Sequence, residues 1–332
     1  MKNLPEFHNH LKKNYKDFEN VKFVKLIDHN NINSVNLLIR SNKKYYVLRH
    51  FTDNSKPAKI EKICQILDFC LLNNVKVQKP IKNKKNEYVI PNKKLYLTKF
   101  YKGHPYSGKK IELLDLATSL AKLHIVLSKN HIQYNYRPNQ KFYKVISLFE
   151  LSKIDKIFTK KRKSNDLINS IARNLDILTK LIKKDQMLTD NLKSLKFKKQ
   201  LIHADLHPGN VIFNNNKVAA LIDFNSMHKS VKMEDISFTS FRFAALNSND
   251  VTVIAKQIRD FLKTYQLVNK IDPNEIDNFN YFISHKILER VSYIIRKSSF
   301  YNTNLWNRDF EKNIQFLKLT TQLSLRIKGI FD

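Results

Sequence analysis

The sequence predicts an α+β protein with two lobes, a small β-rich lobe over residues 1–100 and a larger, mainly helical lobe over 101–332. The length of 332 residues exceeds what one hydrophobic core usually fills. β-Branched and aromatic runs separated by polar turns are concentrated in the first hundred residues. Apolar residues at helical spacing dominate the rest of the chain.

The first lobe is predicted to contain one helix, two hairpins and an extended segment. Apolar runs at 35–39 and 45–48 flank a polar tetrapeptide, which indicates a β-hairpin. A helix is predicted over 60–72, an extended segment over 75–81 and a second hairpin over 87–100.

The second lobe is predicted to be helical around one β-rich island. A helix is expected over 111–124, and further helices over 251–265 and 281–296. The island at 201–224 contains two apolar runs that bracket an Asn-Asn-Asn turn. Residues 101–108, with two of the four glycines, are expected to form the hinge between lobes.

Composition excludes several classes of protein. Hydrophobic residues make up 42% of the chain, too many for a disordered protein. The two cysteines, Cys64 and Cys70, cannot form a disulfide framework, and their spacing in an apolar helix indicates buried thiols in a reducing cytoplasm. No apolar run approaches the length that spans a bilayer, so a cytoplasmic protein without a membrane partner is expected.

The net charge of +31 could indicate a polyanion partner. However, the basic residues are mostly lysines spread among asparagines and isoleucines, a composition typical of AT-rich coding sequences. The densest run, 160–163, is short and is predicted to be a surface loop. No specific nucleic-acid partner is therefore expected, and the oligomeric state is left open.

One stretch combines the residue types that phosphoryl transfer requires. His203-x-Asp205 is followed by Asn210 and, after a predicted hairpin, by Asp223. Phosphoryl transfer needs a carboxylate at the attacking hydroxyl and hard oxygen ligands that hold Mg²⁺ against a polyphosphate. Asp205 lies on a loop where it could deprotonate an alcohol, and the hairpin could bring Asn210 and Asp223 together at a metal. His203 is expected to be structural, with its ring bonded to nearby backbone.

This pattern resembles the catalytic and metal-binding loops of the aminoglycoside phosphotransferase and choline kinase superfamily, relatives of the protein kinases that phosphorylate small-molecule hydroxyls. The resemblance implies a protein-kinase-like fold, ATP and Mg²⁺ as cofactors and a small-molecule hydroxyl as the acceptor. It also places Asp235 where the family has an aspartate at the start of a helix, as an N-cap or a brace for the catalytic loop.

The resemblance extends more weakly to the first lobe. Arg49 occupies the place of the basic residue that touches the α and β phosphates, and an exposed strand-end arginine is the alternative. Glu61 on the following helix could orient Arg49 through an ion pair, and the competing possibilities are Gln65 or solvation of the guanidinium without a glutamate. Phosphate contacts are expected from 31–34, including Ser34.

Three further groups of residues are candidates for binding. The segment 97–103, with Lys99 and Tyr101, resembles the hinge whose backbone pairs with adenine. Arg242 could contact substrate or phosphate, or could be an ordinary paired or solvated helix residue. Four residues recur at four-residue spacing and form either a helix-interface stripe or a pocket wall: Tyr281, His285, Glu289 and Tyr293.

The acceptor is less well defined than the reaction. The chain looks most similar to homoserine kinases of the aminoglycoside-phosphotransferase type, while choline, ethanolamine, sugars and aminoglycosides stay open. The scarcity of acidic residues favours an anionic or zwitterionic acceptor. A pseudokinase or polyanion-binding module is the alternative of another class, and protein kinase activity is disfavoured because Asp223-Phe224 is followed by Asn225.

Overall fold

The computed structural model describes residues 4–16, 18–27, 34–51, 57–90, 92, 94–136, 144–159, 166–300 and 306–323. The chain divides into two compact units. The first comprises Met1–Tyr136 and Pro208–Met227, and the second comprises Arg137–His207 and His228–Asp332. The α+β class predicted from the sequence is confirmed.

The first unit contains a six-stranded antiparallel sheet with strand order β1-β2-β3-β6-β4, and β5 also pairs with β6. Its strands are β1 (Lys22–Leu26), β2 (Ser34–Ser41), β3 (Lys44–Phe51), β4 (Pro80–Ile81), β5 (Val89–Ile90) and β6 (Leu95–Lys99). The predicted first hairpin is confirmed. Ser41 pairs with Lys44, and both residues of the turn, Asn42 and Lys43, have positive φ (46° and 62°). A two-residue turn of this kind matches the right-handed twist of the flanking strands.

Three helices accompany this sheet: α1 (Leu4–Asn14), α2 (Pro57–Leu72) and α3 (Lys110–Ser128). The predicted helix over 60–72 is thus confirmed, with one extra turn at its start. Six residues recur on its buried face: Ile60, Ile63, Cys64, Ile66, Leu67 and Cys70. Both cysteines are free and buried, as predicted.

The predicted extended segment at 75–81 is mostly irregular. Only Pro80–Ile81 forms a strand of the sheet. The preceding residues bind a different element, since Val77 bridges Leu221 in parallel and Gln78 donates its backbone N–H to the Leu221 carbonyl at 2.8 Å. The segment therefore joins the sheet to a hairpin far along the sequence.

That hairpin consists of β8 (Val211–Asn214) and β9 (Lys217–Leu221), with its turn at the predicted asparagines. A short 3-10 turn, Pro208–Asn210, precedes it. His104 and Phe213 exchange two backbone hydrogen bonds of 2.9 and 2.8 Å. At Gly103 a Cβ would lie 2.2 Å from the Phe213 carbonyl oxygen, so this close approach requires glycine. The predicted hinge segment is therefore bound to the hairpin.

The described residues of the second unit are helical apart from connecting loops and one antiparallel strand pair, β7 (Lys199–Ile202) with β10 (His228–Val231). Its helices are α4 (Leu148–Thr159), α5 (Asp166–Arg173), α6 (Leu175–Leu192), α7 (Lys232–Ala244), α8 (Val251–Val268), α9 (Pro273–Asp277), α10 (Phe279–Phe300) and α11 (Asn307–Leu323). α10 packs against α4, α6, α7 and α11. Each helix among the described residues is too short or too polar to cross a membrane.

Candidate functional site

The hairpin brings Asn210 and Asp223 to one end. Val211 pairs with Leu221, and the Ile222 backbone N–H donates to the Asn210 carbonyl at 2.9 Å. The two candidate metal ligands therefore flank the open end of the same two strands, although 13 positions separate them. Asn210 is buried, whereas the Asp223 side chain is partly exposed and accessible to a ligand.

The backbone at Asp223 is left-handed, with φ 63° and ψ 67°. Residues other than glycine seldom adopt this conformation, and such strain is common at functional positions. Two hydrogen bonds hold it in place. The Asp223 N–H donates to Gln78 Oε1 at 3.2 Å, and its Oδ1 accepts from Asn225 Nδ2 at 2.8 Å.

Gln78 connects Asp223 to Arg49. The same Oε1 that accepts from Asp223 also accepts from Arg49 Nη2 at 3.3 Å, and the Gln78 side chain is buried. The sequence does not reveal this residue. Apolar and polar residues alternate over Val75-Lys76-Val77-Gln78, so the pattern places Gln78 on the polar side and gives no signal of its burial.

Arg49 lies in an electrostatic environment suited to binding phosphate. Burial acts to lower the pKa of its guanidinium, but interactions with Tyr96 and with the Asp223 carboxylate outweigh burial and leave that pKa raised. Burial also raises the pKa of Tyr96 to about 12, so its phenol is neutral at pH 7 and Asp223 is the anion that balances Arg49. Arg49 Nε is buried without a hydrogen-bond partner among the described residues. A bound oxyanion would satisfy this donor.

The predicted pairing of Glu61 with Arg49 is wrong. The Glu61 carboxylate instead accepts the backbone N–H groups of Tyr88 and Val89, each at 3.1 Å from Oε2. These bonds anchor the start of β5 to α2, so Glu61 stabilises the sheet edge. Gln78 occupies the position beside the guanidinium that was predicted for Glu61.

The other nucleotide-binding candidates occupy neighbouring strands. Lys99 is exposed at the end of β6, where its ammonium lies 5.3 Å from the Tyr101 ring centroid and its backbone N–H donates to the Lys79 carbonyl. The Tyr101 hydroxyl donates to the Val77 carbonyl at 3.1 Å, and burial raises the pKa of that phenol. Ser34 begins β2, while the predicted phosphate contacts at 31–33 and the basic run at 160–163 lie outside the described residues.

In the second unit, Asp235 braces the loop that carries Asp205. Its two carboxylate oxygens accept the backbone N–H groups of His203 and Ala204, each at 2.6 Å. Ala204 has φ 67°, and its left-handed conformation points both N–H groups to one carboxylate. The brace that sequence analysis proposed is confirmed, but the N-cap is wrong, because Val231 occupies that position.

The loop exposes Asp205 while burying its neighbours. His203, Ala204 and Leu206 are buried, and the ring of His203 accepts the Asp205 backbone N–H at its Nδ1 at 3.3 Å, as predicted. Asp205 itself is partly exposed. Thr239 on α7 donates to the Leu206 carbonyl at 3.2 Å and closes the other side of the loop. A carboxylate held in this way can accept a proton from an acceptor alcohol.

The predicted four-residue stripe on α10 is a helix interface. Tyr281 shares a hydrogen bond of 2.8 Å with Thr189 on α6, and His285 Nδ1 lies 2.9 Å from Asp185 Oδ1. Burial acts to lower the pKa of His285, but the bond to Asp185 and the charges of Asp185, Glu289 and Glu234 together outweigh burial and raise it. Next to this stripe, Lys286 donates to Glu234 at 2.7 Å.

The donor set suits a hard divalent cation. Asp223 and Asn210 offer carboxylate and amide oxygens, the ligand types that Mg²⁺ prefers. Among the described residues no three His, Cys, Asp or Glu side chains cluster in a way that could hold a metal. A cation here would therefore need further oxygens from a ligand such as a polyphosphate, as Mg²⁺ usually does.

The sequence matches the phosphotransferase enzyme family over residues 24–268, and the chain therefore belongs to this family. No match was found among curated proteins.

Three solved structures illustrate the shared fold. An amicoumacin kinase in complex with AMP-PNP, Ca²⁺ and Ami has a TM-score of 0.62 and 16% identity, over 100% of this chain and 98% of the other. A spectinomycin phosphotransferase with ADP and spectinomycin has a TM-score of 0.64 and 15% identity, over 98% of each chain. A choline kinase from Cryptosporidium parvum Iowa II has a TM-score of 0.60 and 14% identity, over 99% of each chain.

Proposed function

We propose that this phosphotransferase is an ATP-dependent kinase that phosphorylates the hydroxyl of a small molecule in the cytoplasm. The observation that carries the proposal is the hairpin end, where Asn210 and Asp223 flank two paired strands and Gln78 links Asp223 to Arg49. The complexes of related kinases with AMP-PNP and ADP support a nucleotide as donor. The two free, buried cysteines suit a reducing compartment.

The proposed roles follow from the chemistry of each side chain. Asp205 accepts the proton of the acceptor hydroxyl as that oxygen attacks the γ-phosphorus, and ADP leaves with the electrons of the broken P–O bond. Arg49 binds phosphate oxygens through its guanidinium, whose Nε has no partner among the described residues. Asn210 and Asp223 would hold Mg²⁺, which when bound neutralises charge on the polyphosphate.

The nucleotide is proposed to bind to residues of the predicted first lobe, with its adenine at the backbone of 97–103. The side chains of Lys99 and Tyr101 would then lie beside the adenine ring. The Tyr101 hydroxyl already donates to the Val77 carbonyl, so Tyr101 would contact the adenine through its ring. His203 and Asp235 hold the backbone of the loop that carries Asp205. His203 and Asp235 thus position Asp205, the proposed general base, without touching substrate.

The proposed acceptor is an amino alcohol such as homoserine. Choline, ethanolamine, sugars and aminoglycosides are the competing acceptors, since relatives in this fold act on choline and on spectinomycin. A chain with 60 basic and 29 acidic residues is poorly suited to a polycationic drug.

The test is ATP consumption with Mg²⁺ across homoserine, choline, ethanolamine, amino sugars and aminoglycosides, using the wild type, Asp205→Asn and a control, Asp277→Asn. Asp277 is an exposed residue of α9, so its variant should behave as the wild type. We expect one acceptor to be phosphorylated and Asp205→Asn to lose about 10²- to 10⁴-fold in kcat, the range typical of general-base catalysis.

Nucleotide binding separates the outcomes. Asp205→Asn should bind AMP-PNP with Mg²⁺ as tightly as the wild type, because the base acts chiefly in the transition state. Full turnover in Asp205→Asn would refute the assignment of the base. Failure of the wild type to bind nucleotide, combined with salt-dependent binding of a random DNA duplex, would favour the polyanion-binding alternative.

A further inference from the structure

Arg242 lies on the face of α7 that holds the loop carrying Asp205. Residues that are three or four positions apart lie on the same side of a helix. Asp235, Thr239 and Arg242 have this spacing and therefore share one face of α7. The first two hydrogen-bond the backbone of residues 203, 204 and 206. Arg242 continues this face by one turn, and its guanidinium interacts electrostatically with the Asp205 carboxylate.

The guanidinium of Arg242 is held in place by aromatic rings. Its Cζ lies 5.3 Å from the Phe238 ring centroid and 5.5 Å from that of Phe316, and the side chain is partly buried. Among the described residues it has neither a hydrogen-bond acceptor nor an ion-pair partner within 4.0 Å. None of its five N–H donors is therefore used by a described residue.

Positive charges outnumber negative ones around Arg242. Arg290 and Lys312 interact with it, Arg308 acts on Lys312 in turn, and the Lys312 ammonium lies 5.5 Å from the centroid of the same Phe316 ring. Two carboxylates, Asp205 and Asp309, also interact with Arg242. Asp309 accepts a hydrogen bond of 3.0 Å from Arg290 Nε. Burial acts to lower the pKa of Arg242, which reflects the cost of keeping this charge away from water. A bound anion would offset that cost.

We propose that Arg242 binds an oxyanion carried by the acceptor, a carboxylate or a phosphate, and so selects an anion-bearing alcohol. This inference rests on the proposed function, because it assumes that the acceptor hydroxyl is at Asp205. The planar fork of a guanidinium matches the two oxygens of either group. Arg242 thereby determines specificity and leaves proton transfer to Asp205.

The test measures binding by calorimetry, so it does not depend on turnover. Three pairs of probes differ by one anionic group: homoserine and 3-aminopropan-1-ol, glycerate and glycerol, glucose 6-phosphate and glucose. The first two pairs test a carboxylate and the third tests a phosphate. We expect the wild type to bind the member that carries the carboxylate or phosphate, in at least one pair, about tenfold or more tightly than the partner that lacks it.

Two variants and one control assign that preference to Arg242. Arg242→Gln should remove the preference and leave the affinity for glycerol and glucose, which are uncharged, within about twofold of the wild type. Arg242→Lys keeps the charge and most of the packing but loses the fork, so it should retain part of the preference. Arg259→Gln removes one positive charge from an exposed position on α8 and should match the wild type. Thermal unfolding of each variant verifies that it is folded.

Three results would overturn the inference. These are an anion preference that survives in Arg242→Gln, the absence of any preference, and the failure of every anionic probe to bind. Loss of AMP-PNP affinity in Arg242→Gln, with the acceptor preference intact, would assign the residue to nucleotide phosphate instead. Failure of the proposed function gives a different signature, namely anion binding that depends on Arg242 without phosphoryl transfer that depends on Asp205.

Discussion

Replacing Asp235 with asparagine tests how the loop carrying Asp205 is held. The buried carboxylate accepts two backbone N–H groups at 2.6 Å, from His203 and Ala204. Asparagine has nearly the same shape but only one acceptor oxygen. One N–H would therefore keep a neutral partner, while the other would face an amide that is itself a donor.

The magnitude follows from those two bonds. Hydrogen bonds to charged groups contribute about 1.5–3 kcal/mol each, and a buried N–H left without a partner costs about 1–3 kcal/mol. Weakening one bond and losing the other should lower the free energy of unfolding by about 3 kcal/mol. That corresponds to roughly a hundredfold change in the folding equilibrium.

Urea unfolding near pH 7, followed by far-UV circular dichroism, measures this difference directly. Asp277→Asn is the matched control, since it makes the same chemical change at an exposed position and should stay within about 0.5 kcal/mol of the wild type. An Asp235→Asn protein that loses no more stability than the control would refute the bracing role.

Three further changes have defined outcomes. Gly103→Ala should lower the free energy of unfolding, measured with urea, by about 2 kcal/mol or more, because the new Cβ would lie 2.2 Å from the Phe213 carbonyl oxygen. Unchanged stability would contradict this close approach. Burial raises the pKa of Glu275 to about 7, so ionising this carboxyl destabilises the fold as pH rises from about 4.5 through 7. Glu275→Gln should then be more stable than the wild type by about 2 kcal/mol at pH 8, with the gain vanishing toward pH 4.5, and an equal gain at both pH values would refute the assignment. Burial raises the pKa of the Cys64 thiol well above its usual range and that of Cys70 to about 12. Neither thiol should therefore react with a disulfide reagent near pH 8 until urea unfolds the chain. Labelling of the native protein would show that the thiols are not buried.

The parts of the fold that sequence could predict are those with local patterns. The hairpin over 34–51 and the helices α2, α8 and α10 follow from apolar periodicity within a few residues. The segment 75–81 was predicted to be extended, but its bonding partner is β9, more than a hundred residues away. No local pattern indicates which distant strand an irregular segment will meet.

The candidate site divides in the same way. Asp205, Asn210 and Asp223 lie within one motif, and this motif together with the strand, loop and hairpin predicted around it suggested their proposed roles. The partners of Arg49 could not be found in this way, because Gln78 and Asp223 reach it only through tertiary packing. Glu61 was assigned to Arg49 by resemblance, yet two backbone N–H groups near β5 compete for its carboxylate and bind it.

The first compact unit is built from two separate stretches of chain, and this determines when it can be completed during synthesis. Its hairpin, within Pro208–Met227, emerges from the ribosome only after the segment between residues 136 and 208 has been made. Until then Gln78 lacks Asp223, its partner 145 positions later, and Gly103 has no strand to lie against. Such long-range pairing slows folding and leaves surfaces exposed in the nascent chain. The first unit therefore cannot be completed until residue 227 has been made, about two thirds of the way along the 332 residues.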